Sequence, residues 1–318
     1  METNSILCIG ELLIDFFCTD INNSLIEGHS FEKKAGGAPA NVCATIAKFG
    51  GHAIFSGKVG ADPFGMFLKS TLDNQGVDTT HLKLDKETPT TLAFVSLTDD
   101  GERDFLFNRG ADQYMTNADL DQSVIEQSAI LHFGSATALL NDPFQTMYLD
   151  SMKEASESNK FISYDPNYRH DLWNHRESEF IDLTHKCVAL SDFVKVSDEE
   201  LELITGTRLL DEGARSLHQI GAKIVAITLG SRGTYISNGR ESGIIESIPI
   251  EAIDTTGAGD AFVGTMLYQF AQTENPHEII TDMQTLKKFT EKSNQVAAHV
   301  CTKYGAIDAL PEKDVVFG

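Results

Sequence analysis

The fold is decided by residues 38–59, which read APANVCATIAKFGGHAIFSGKV. The first half carries apolar residues at helical spacing (Val42, Ile46 and Phe49) and stops at Gly50-Gly51, whereas the second half is a short β-rich run. This predicts a helix over residues 38–49 and a strand over residues 53–59. An apolar run at 5–9 precedes them and a helical pattern at 63–75 follows. The order strand, helix, strand, helix is typical of a layered α/β fold with a mainly parallel sheet.

The same alternation continues along most of the chain. It predicts strands at 129–133, 160–164, 192–196 and 223–229, and helices at 143–157, from 198, at 212–220, 260–271 and 285–301. Residues 233–237 and 243–249 are typical of a closing antiparallel pair. Two β-rich runs at 90–97 and 103–107 differ from this pattern, and Asp100-Gly101 between them predicts a hairpin turn. No linker or repeat divides the chain, so we expect one domain over residues 1–318 with a small β appendage.

Composition narrows the functional class. The formal net charge is −22, from 47 acidic and 25 basic residues, which disfavours nucleic acid and anionic membranes as partners. The five cysteines are odd in number and form no C-x-x-C pair, so reduced thiols are expected. No signal-like segment or apolar stretch of about 20 residues occurs. These features predict a cytoplasmic protein.

The segment from Asp254 to Phe262, DTTGAGDAF, carries the predicted chemistry. Two glycines before a helix allow backbone N–H groups to converge into an anion site at the positive end of the helix dipole. Asp260 would repel a bound anion, but it fits if it takes a proton from a hydroxyl that attacks a bound phosphoryl group. For an isolated segment, simple helix capping by Asp260 is the commoner explanation. The oxygen groups of Asp254, Thr255 and Thr256 favour the catalytic interpretation.

A second glycine cluster, GGAPAN at residues 36–41, lies far away in sequence. Together the two segments resemble the two signatures of the ribokinase-like (PfkB) carbohydrate kinases, and the order of elements between them is similar. The resemblance implies a three-layer α/β/α fold with a mainly parallel sheet and a β lid from about residues 11–31 and 88–110. It also implies phosphoryl transfer from ATP, with Mg²⁺, to a sugar hydroxyl under a lid that excludes water.

Site residues follow from the resemblance position by position. Asp260 is expected to be the base, and the N–H groups of Gly257, Ala258 and Gly259 the anion hole. The expected sugar-binding residues are Asp15, Gly36, Gly37, Asn41, Arg109, Asp165 and Arg169. Arg169 could contact phosphate oxygens, and Arg109 the sugar or the transferring group. Taken alone, Asp15 and Asn41 could be ordinary polar residues, and the two arginines could form surface ion pairs.

The nucleotide side is implied in the same way. The expected nucleotide-binding residues are Lys195, Thr228, Gly230, Gly233 and Asn294. Glu200 is expected to hold Mg²⁺ through water, although Ser197 stands where the family often has asparagine. The sequence SDEE at 197–200 is also a good acidic helix start. A K⁺ ion is implied beside Asp254, Thr256 and the Gly305-Ala306 turn.

The segments NRGAD at 108–112 and YDPNYR at 164–169 resemble the bacterial fructokinase branch most closely. Free fructose, phosphorylated at its terminal primary hydroxyl, is therefore the expected substrate. The alternatives are 2-keto-3-deoxygluconate, then ribose or a nucleoside. A non-catalytic sugar-binding regulator on the same fold is the rival from another class. A dinucleotide-dependent dehydrogenase or a P-loop nucleotidase would need motifs that are absent here. The family resemblance also makes a homodimer through the lid plausible.

Overall fold

The computed structural model describes residues 4–20, 22–97 and 103–318. Within them the chain forms two sheets. The strands are β1 Ile6–Ile9, β2 Leu13–Cys18, β3 Phe31–Gly36, β4 Ala53–Gly60, β5 Leu82–Asp85, β6 Leu92–Leu97, β7 Arg103–Asn108, β8 Ile130–Phe133, β9 Phe161–Tyr164, β10 Phe193–Ser197, β11 Ile224–Thr228, β12 Thr234–Ser237 and β13 Ser242–Ile245.

The larger sheet has nine strands in the described part of the chain, in the order β13-β12-β11-β10-β9-β8-β1-β4-β5. Strands β11 to β5 in this order pair in parallel, and β12 and β13 close one edge as the predicted antiparallel pair. The parallel strands contain fully buried apolar runs such as Ile6–Ile9, as expected for a sheet that helices cover on both faces.

Helices cover both faces of this sheet. They are α1 Ala38–Lys48, α2 Pro63–Asn74, α3 Gln122–Gln127, α4 Phe144–Glu157, α5 His170–Trp173, α6 Glu177–Ala189, α7 Asp198–Thr205, α8 Leu210–Ile220, α9 Ala258–Ala271, α10 Met283–Val300 and α11 Lys313–Phe317. Short 3₁₀ turns occur at Ala111–Tyr114, Gly230–Arg232 and Pro276–Thr281.

Alternation along the strands divides the core into two layers. Ile6 and Cys8 of β1 face one cluster, formed with α1, α2, α9 and α10, whereas Leu7 and Ile9 face the other, formed with α4, α6, α7 and α8. Helix α9 is buried continuously from Asp260 to Ala271, and its residues are apolar almost all round. The predicted three-layer α/β/α fold with a mainly parallel sheet is confirmed.

The second sheet, in the order β3-β2-β6-β7, is the expected appendage. Its register puts Asp15 and Phe17 of β2 opposite Ala93 and Val95 of β6 on the face that looks into the molecule. We call this sheet the lid. Its first segment extends to Gly36, beyond the expected boundary at residue 31, because β3 pairs with the whole of β2.

The predicted hairpin turn at 98–102 falls outside the residues that the structure describes. Among the helices that are described, none is both long and apolar enough to cross a membrane.

Candidate active site

A cavity of about 640 Å³ lies between the lid and the large sheet. It opens where the parallel strands end, the usual ligand position in open α/β sheets. Elements distant in sequence supply its walls: Asp15 from the lid, Asn41 from α1, Lys195 from β10 and Asp260 from α9. The structure therefore brings the two glycine-rich segments together.

Asp260 is buried inside the first turn of α9, with 8% of its surface exposed. Gly257, and not Asp260, is the N-cap residue of this helix. The Oδ2 atom of Asp260 instead accepts a hydrogen bond of 2.8 Å from Nδ2 of Asn41, across to α1. Burial raises the pKa of Asp260 above its ordinary value, although the Asn41 bond and the charges of Arg169 and Lys195 oppose the shift. A buried carboxyl with a raised pKa suits a general base better than a cap.

Glycine is required at the start of α9. Gly257 has a φ of 75°, and a Cβ atom there would overlap Cβ of Ala306. Gly257 and Gly259 line the cavity, where the first N–H groups of a helix have no intrahelical acceptor. The N–H of Ala258 donates to the carbonyl of Thr255 at 3.3 Å, so among the described residues it is the one of the three predicted amides that has an acceptor.

Asp15 and Asn41, both predicted to bind the sugar, line the cavity. Burial raises the pKa of Asp15 to about 6, against the attraction of Arg169. Gly36 lies directly against the Asp15 carboxylate, and a Cβ there would overlap it, so Gly36 makes room for Asp15. Gly37 lines the cavity with a φ of 111°. The amide oxygen Oδ1 of Asn41 is buried and has no hydrogen-bond partner among the described residues, which leaves an acceptor open toward a ligand.

The two predicted arginines are separated in the structure. Arg169 lines the cavity and donates to the carbonyl of Tyr168 at 3.0 Å. Arg109 does not line it, because its Nη2 atom is bound at 2.7 Å to Asp112. Arg109 borders a neighbouring cavity of about 310 Å³ instead. The resemblance-based expectation of a direct sugar contact for Arg109 therefore lacks geometric support.

A buried ion pair lies next to Gly259, one of the glycines predicted to form the anion hole. Nζ of Lys195 is 3.1 Å from Oδ2 of Asp165, and both residues are almost fully buried. Burial raises the pKa of Asp165 to about 7, against the attraction of Lys195. Burial alone would lower the pKa of Lys195, but the carboxylates of Asp165, Glu200 and Asp260 raise it. A Cβ on Gly259 would lie 3.2 Å from Lys195 Nζ, so a protonated amine is held next to the predicted phosphoryl site.

Glu200 has a structural role that the sequence already indicated. It forms a capping box with Ser197 at the start of α7, and its Oε1 atom accepts from the N–H of Tyr168 at 2.9 Å. Glu200 lines the cavity, and its oxygens keep free lone pairs that can accept from water. The described residues contain no cluster of three or more His, Cys, Asp or Glu side chains able to hold a metal. Such a donor set suits Mg²⁺ held mainly by phosphate oxygens and water.

The residues predicted for K⁺ do meet in space. Oδ1 of Asp254 accepts from the N–H and the hydroxyl of Thr256 at 2.9 and 2.6 Å, and Oδ2 accepts from the N–H of Gly305 at 3.1 Å. Burial acts to raise the pKa of Asp254, but these hydrogen bonds hold it below its usual value. The group is therefore an ionised, preformed oxygen cluster beside Gly257.

The other predicted nucleotide residues do not line the cavity. They are Thr228, Gly230, Gly233 and Asn294. Gly233 has a φ of 94° after the Gly230–Arg232 turn, and Asn294 bonds to Thr234 Oγ1 at 2.7 Å and to the carbonyl of Ile245 at 2.8 Å. Asn294 thus joins α10 to the antiparallel edge of the sheet, and its contact with a nucleotide stays a prediction.

Sequence reasoning missed Glu11, which lines the cavity and is 1% exposed. It lies two residues after the end of β1, in the segment Ile9-Gly10-Glu11. A charged residue at the end of a buried parallel strand is the signal that could have indicated it, since strand ends of this kind point at ligands.

Comparison with known proteins identifies the family. The sequence model of a protein family described as "pfkB family carbohydrate kinase" matches residues 3–313 of the chain. This chain belongs to the pfkB family of carbohydrate kinases. The pfkB kinase described here is therefore an ATP-dependent sugar kinase, and the fold and activity predicted from its two glycine segments are confirmed.

Similar proteins extend over the whole chain. The pfkB kinase is 38% identical to Fructokinase-1 of Oryza sativa subsp. japonica over 312 residues, 96% of this chain and 94% of that one. A structure of fructokinase from Xylella fastidiosa with bound ATP gives a TM-score of 0.87 at 30% identity, covering 98% and 96% of the two chains. Fructokinase from Vibrio cholerae O395, in a form with fructose, ADP and calcium ion bound, gives 0.85 at 29% identity, covering 100% and 99%.

Proposed function

We propose that this pfkB kinase transfers the terminal phosphoryl group of ATP to the primary hydroxyl of free fructose, giving fructose 6-phosphate and ADP. The observation that carries the proposal is the buried Asn41–Asp260 pair, with the amide oxygen of Asn41 unpartnered among the described residues. A polyol supplies both the donor that Asn41 Oδ1 lacks and the proton that Asp260 can accept. Similarity to fructokinases supports fructose as that polyol.

In the proposed mechanism, the Asp260 carboxylate takes the proton of the sugar hydroxyl. The hydroxyl oxygen then forms a bond to the γ-phosphorus as the bond from that phosphorus to the bridging oxygen of ADP breaks. The N–H groups of Gly257, Ala258 and Gly259 stabilise the charge on the transferring group, and Lys195 adds a positive charge beneath them. Mg²⁺, when bound, would neutralise phosphate charge, and Glu200 would hold it through water.

The sugar is proposed to lie against Asp15, Gly37 and Asn41, with Arg169 over the transferring group. The apolar inner face of the lid, including Phe17 and Val95, would exclude the water that otherwise competes for the phosphoryl group. K⁺ would bind at the cluster of Asp254 and its neighbours. Asp165 is proposed to act as the partner of Lys195. The nucleotide is proposed to bind near the β12 edge of the large sheet, at Thr228, Gly230, Gly233 and Asn294.

Two further expectations concern the surroundings of the enzyme. We propose a homodimer through the outer face of the lid, where Phe31 and Leu106 expose 36% and 58% of their surface. We also propose that it acts in the cytoplasm, which its five free cysteines support. The net charge of −22 is consistent with small-molecule partners rather than nucleic acid or membranes.

The test is a substrate panel with ATP and Mg²⁺: fructose, ribose, 2-keto-3-deoxygluconate, glucose and adenosine. ADP release is followed by a coupled assay, and the phosphorylated carbon is assigned by NMR. Turnover of fructose at its terminal carbon supports the proposal. Turnover of another sugar alone would move the enzyme to that branch, and a sugar-induced thermal shift without ADP release would indicate a binding protein.

A further inference from the structure

The buried carboxylate of Glu11 joins three elements around the sugar site. Its Oε1 atom accepts from the N–H of Ala38, the first residue of α1, at 3.2 Å and from the N–H of Ala136 at 3.4 Å. Its Oε2 atom accepts from the hydroxyl of Ser135. Glu11 thus connects the end of β1, the start of α1 and the loop that follows β8.

A second buried carboxylate, Asp112, holds the same loop from the other side. Its Oδ2 atom accepts from the hydroxyl of Thr137 at 2.8 Å and from Nη2 of Arg109 at 2.7 Å, and its Oδ1 atom accepts from the hydroxyl of Thr91. Thr91 lies just before β6 and Arg109 just after β7, so Asp112 holds one end of this antiparallel pair of the lid, the end at which Leu92 pairs with Asn108. Residues 135–137 therefore lie between two acidic anchors.

We propose that Glu11 is a positioning residue for the sugar site. Through its bond to Ala38, Glu11 sets the start of α1 and hence the orientation of Asn41 toward Asp260. Through residues 135–137, which also contact Asp112, it fixes the position of the β6–β7 end of the lid relative to α1. The inference rests on the proposed sugar-kinase site and adds a residue that acts through others.

The electrostatics argue that the carboxylate is not there for stability. Burial, and further the nearby charge of Asp112, raise the pKa of Glu11 to about 7, against the hydrogen bonds from Ser135 and Ala136. A carboxyl whose pKa is higher in the folded state binds more protons folded than unfolded, so stability falls as the pH rises from about 4.5 to 7. The ionised group is therefore retained at a cost in stability, which is typical of functional sites.

The hydrogen-bond pattern matches the ionised form. All three neighbours donate to Glu11, and the Ser135 hydroxyl already accepts from the N–H groups of Thr137 and Ala138 at 3.2 and 2.9 Å. The other titratable groups facing this region are Asp112, with Arg109 bound to it, and Tyr148, whose hydroxyl accepts from the N–H of Ser135 at 3.1 Å. Burial keeps the pKa of Tyr148 well above its usual value, so Tyr148 stays neutral near pH 7.

The test is Glu11→Gln. The new side chain keeps the shape of glutamate and an oxygen that accepts from the N–H of Ala38, but it turns its amide NH₂ group, a donor, toward the hydroxyl of Ser135. At pH 8 we expect the KM for the sugar to rise about tenfold, the scale of losing a charge-assisted hydrogen bond, with the KM for ATP unchanged and the Tm equal or higher. The sugar KM should also rise on acidification, and this rise should be smaller in Glu11→Gln than in the wild type, because Asp15, whose pKa is about 6, still titrates in the variant and Glu11 no longer contributes.

Two more variants keep the inference falsifiable. Ser135→Ala removes one donor and leaves the charge, so a smaller rise in the same KM is expected. Asp192→Asn is the matched control, because Asp192 is a largely buried carboxyl that accepts from the N–H of Ile162 at 2.9 Å at the opposite end of the strands. It should leave the sugar KM unchanged.

The outcomes separate this inference from the proposed function. An unchanged sugar KM in Glu11→Gln, or a loss of Tm with parallel changes for sugar and ATP, overturns the positioning role. If Glu11→Gln does not fold, the Ser135→Ala result decides instead. If the wild type turns over another sugar of the panel, the fructose proposal fails and the same measurements are made with that sugar.

Discussion

Replacing Asp260 with asparagine removes the proposed base with little change in shape. The amide oxygen of the new side chain can still accept from Asn41 Nδ2, so the contact between α1 and α9 is kept. What is lost is the single buried proton acceptor that faces the cavity from α9. Loss of a general base lowers turnover by about 100-fold or more. We therefore expect kcat to fall at least about 100-fold, while the affinities for sugar and ATP stay within about threefold.

Stability provides an internal check on this variant. The pKa of Asp260 is raised by burial, so the ionised group lowers stability as the pH rises above its unfolded pKa of about 3.9. Asp260→Asn should accordingly melt at the same temperature as the wild type, or higher, at pH 8. The wild-type kcat should fall on acidification as Asp260 is protonated, at a higher pH than for an ordinary aspartate.

The assay is steady-state ADP release with saturating sugar and ATP, together with calorimetric titration of each ligand. Glu199→Gln is the matched control, because Glu199 is an exposed carboxylate that lines the same cavity, and its kcat should be near normal. Near-normal kcat in Asp260→Asn would refute the assignment of the base. A collapse of Tm would show instead that Asp260 is there for the structure.

Three other substitutions test the walls of the site. Asn41→Ala should raise the sugar KM about tenfold, the scale of one buried hydrogen bond to a charged or ligand group, and an unchanged KM would contradict sugar binding by its amide oxygen. Gly257→Ala forces a φ of 75° on alanine and makes its Cβ overlap Ala306. The free energy of unfolding measured in urea should therefore drop by at least about 1–2 kcal/mol, and kcat should fall. A variant as stable as the wild type would be inconsistent with the described turn. Lys195→Met leaves buried Asp165 unpaired and should cost about 3–5 kcal/mol in the same measurement as well as most of the turnover, and a variant of unchanged stability and kcat would argue against the ion pair.

Local patterns were enough to predict the large sheet and its helices. Residues 53–59 form an apolar run and residues 38–49 show helical spacing of apolar residues. Both elements could be predicted because the side chains that they bury are set by their own local sequence. The two glycine segments predicted a sugar-binding role for Asn41 and a role as base for Asp260, and the structure adds that the two side chains are hydrogen-bonded at 2.8 Å.

What the sequence missed depends on contacts between distant residues. Strand β3, FEKKAG, has no apolar alternation and exists because β2 offers it a pairing edge. The Glu11–Ser135 contact spans 124 positions, and no local pattern indicates which carboxylate will meet which hydroxyl. The sequence also did not indicate that Asp112, three residues on, binds the guanidinium of Arg109 outside the cavity, and a sugar contact by Arg109 stays a prediction.

The acidic surface and the buried ammonium group of Lys195 act on an approaching nucleotide with opposite sign. At a distance, an approaching nucleotide meets a surface of net charge −22, which slows its arrival at low ionic strength and which dissolved salt weakens. Beneath Gly259 it meets a fixed ammonium group that salt screens much less, because Lys195 is almost fully buried. Ionic strength should thus govern how fast ATP is captured, while the chemistry that follows proceeds at a rate almost indifferent to the surrounding electrolyte.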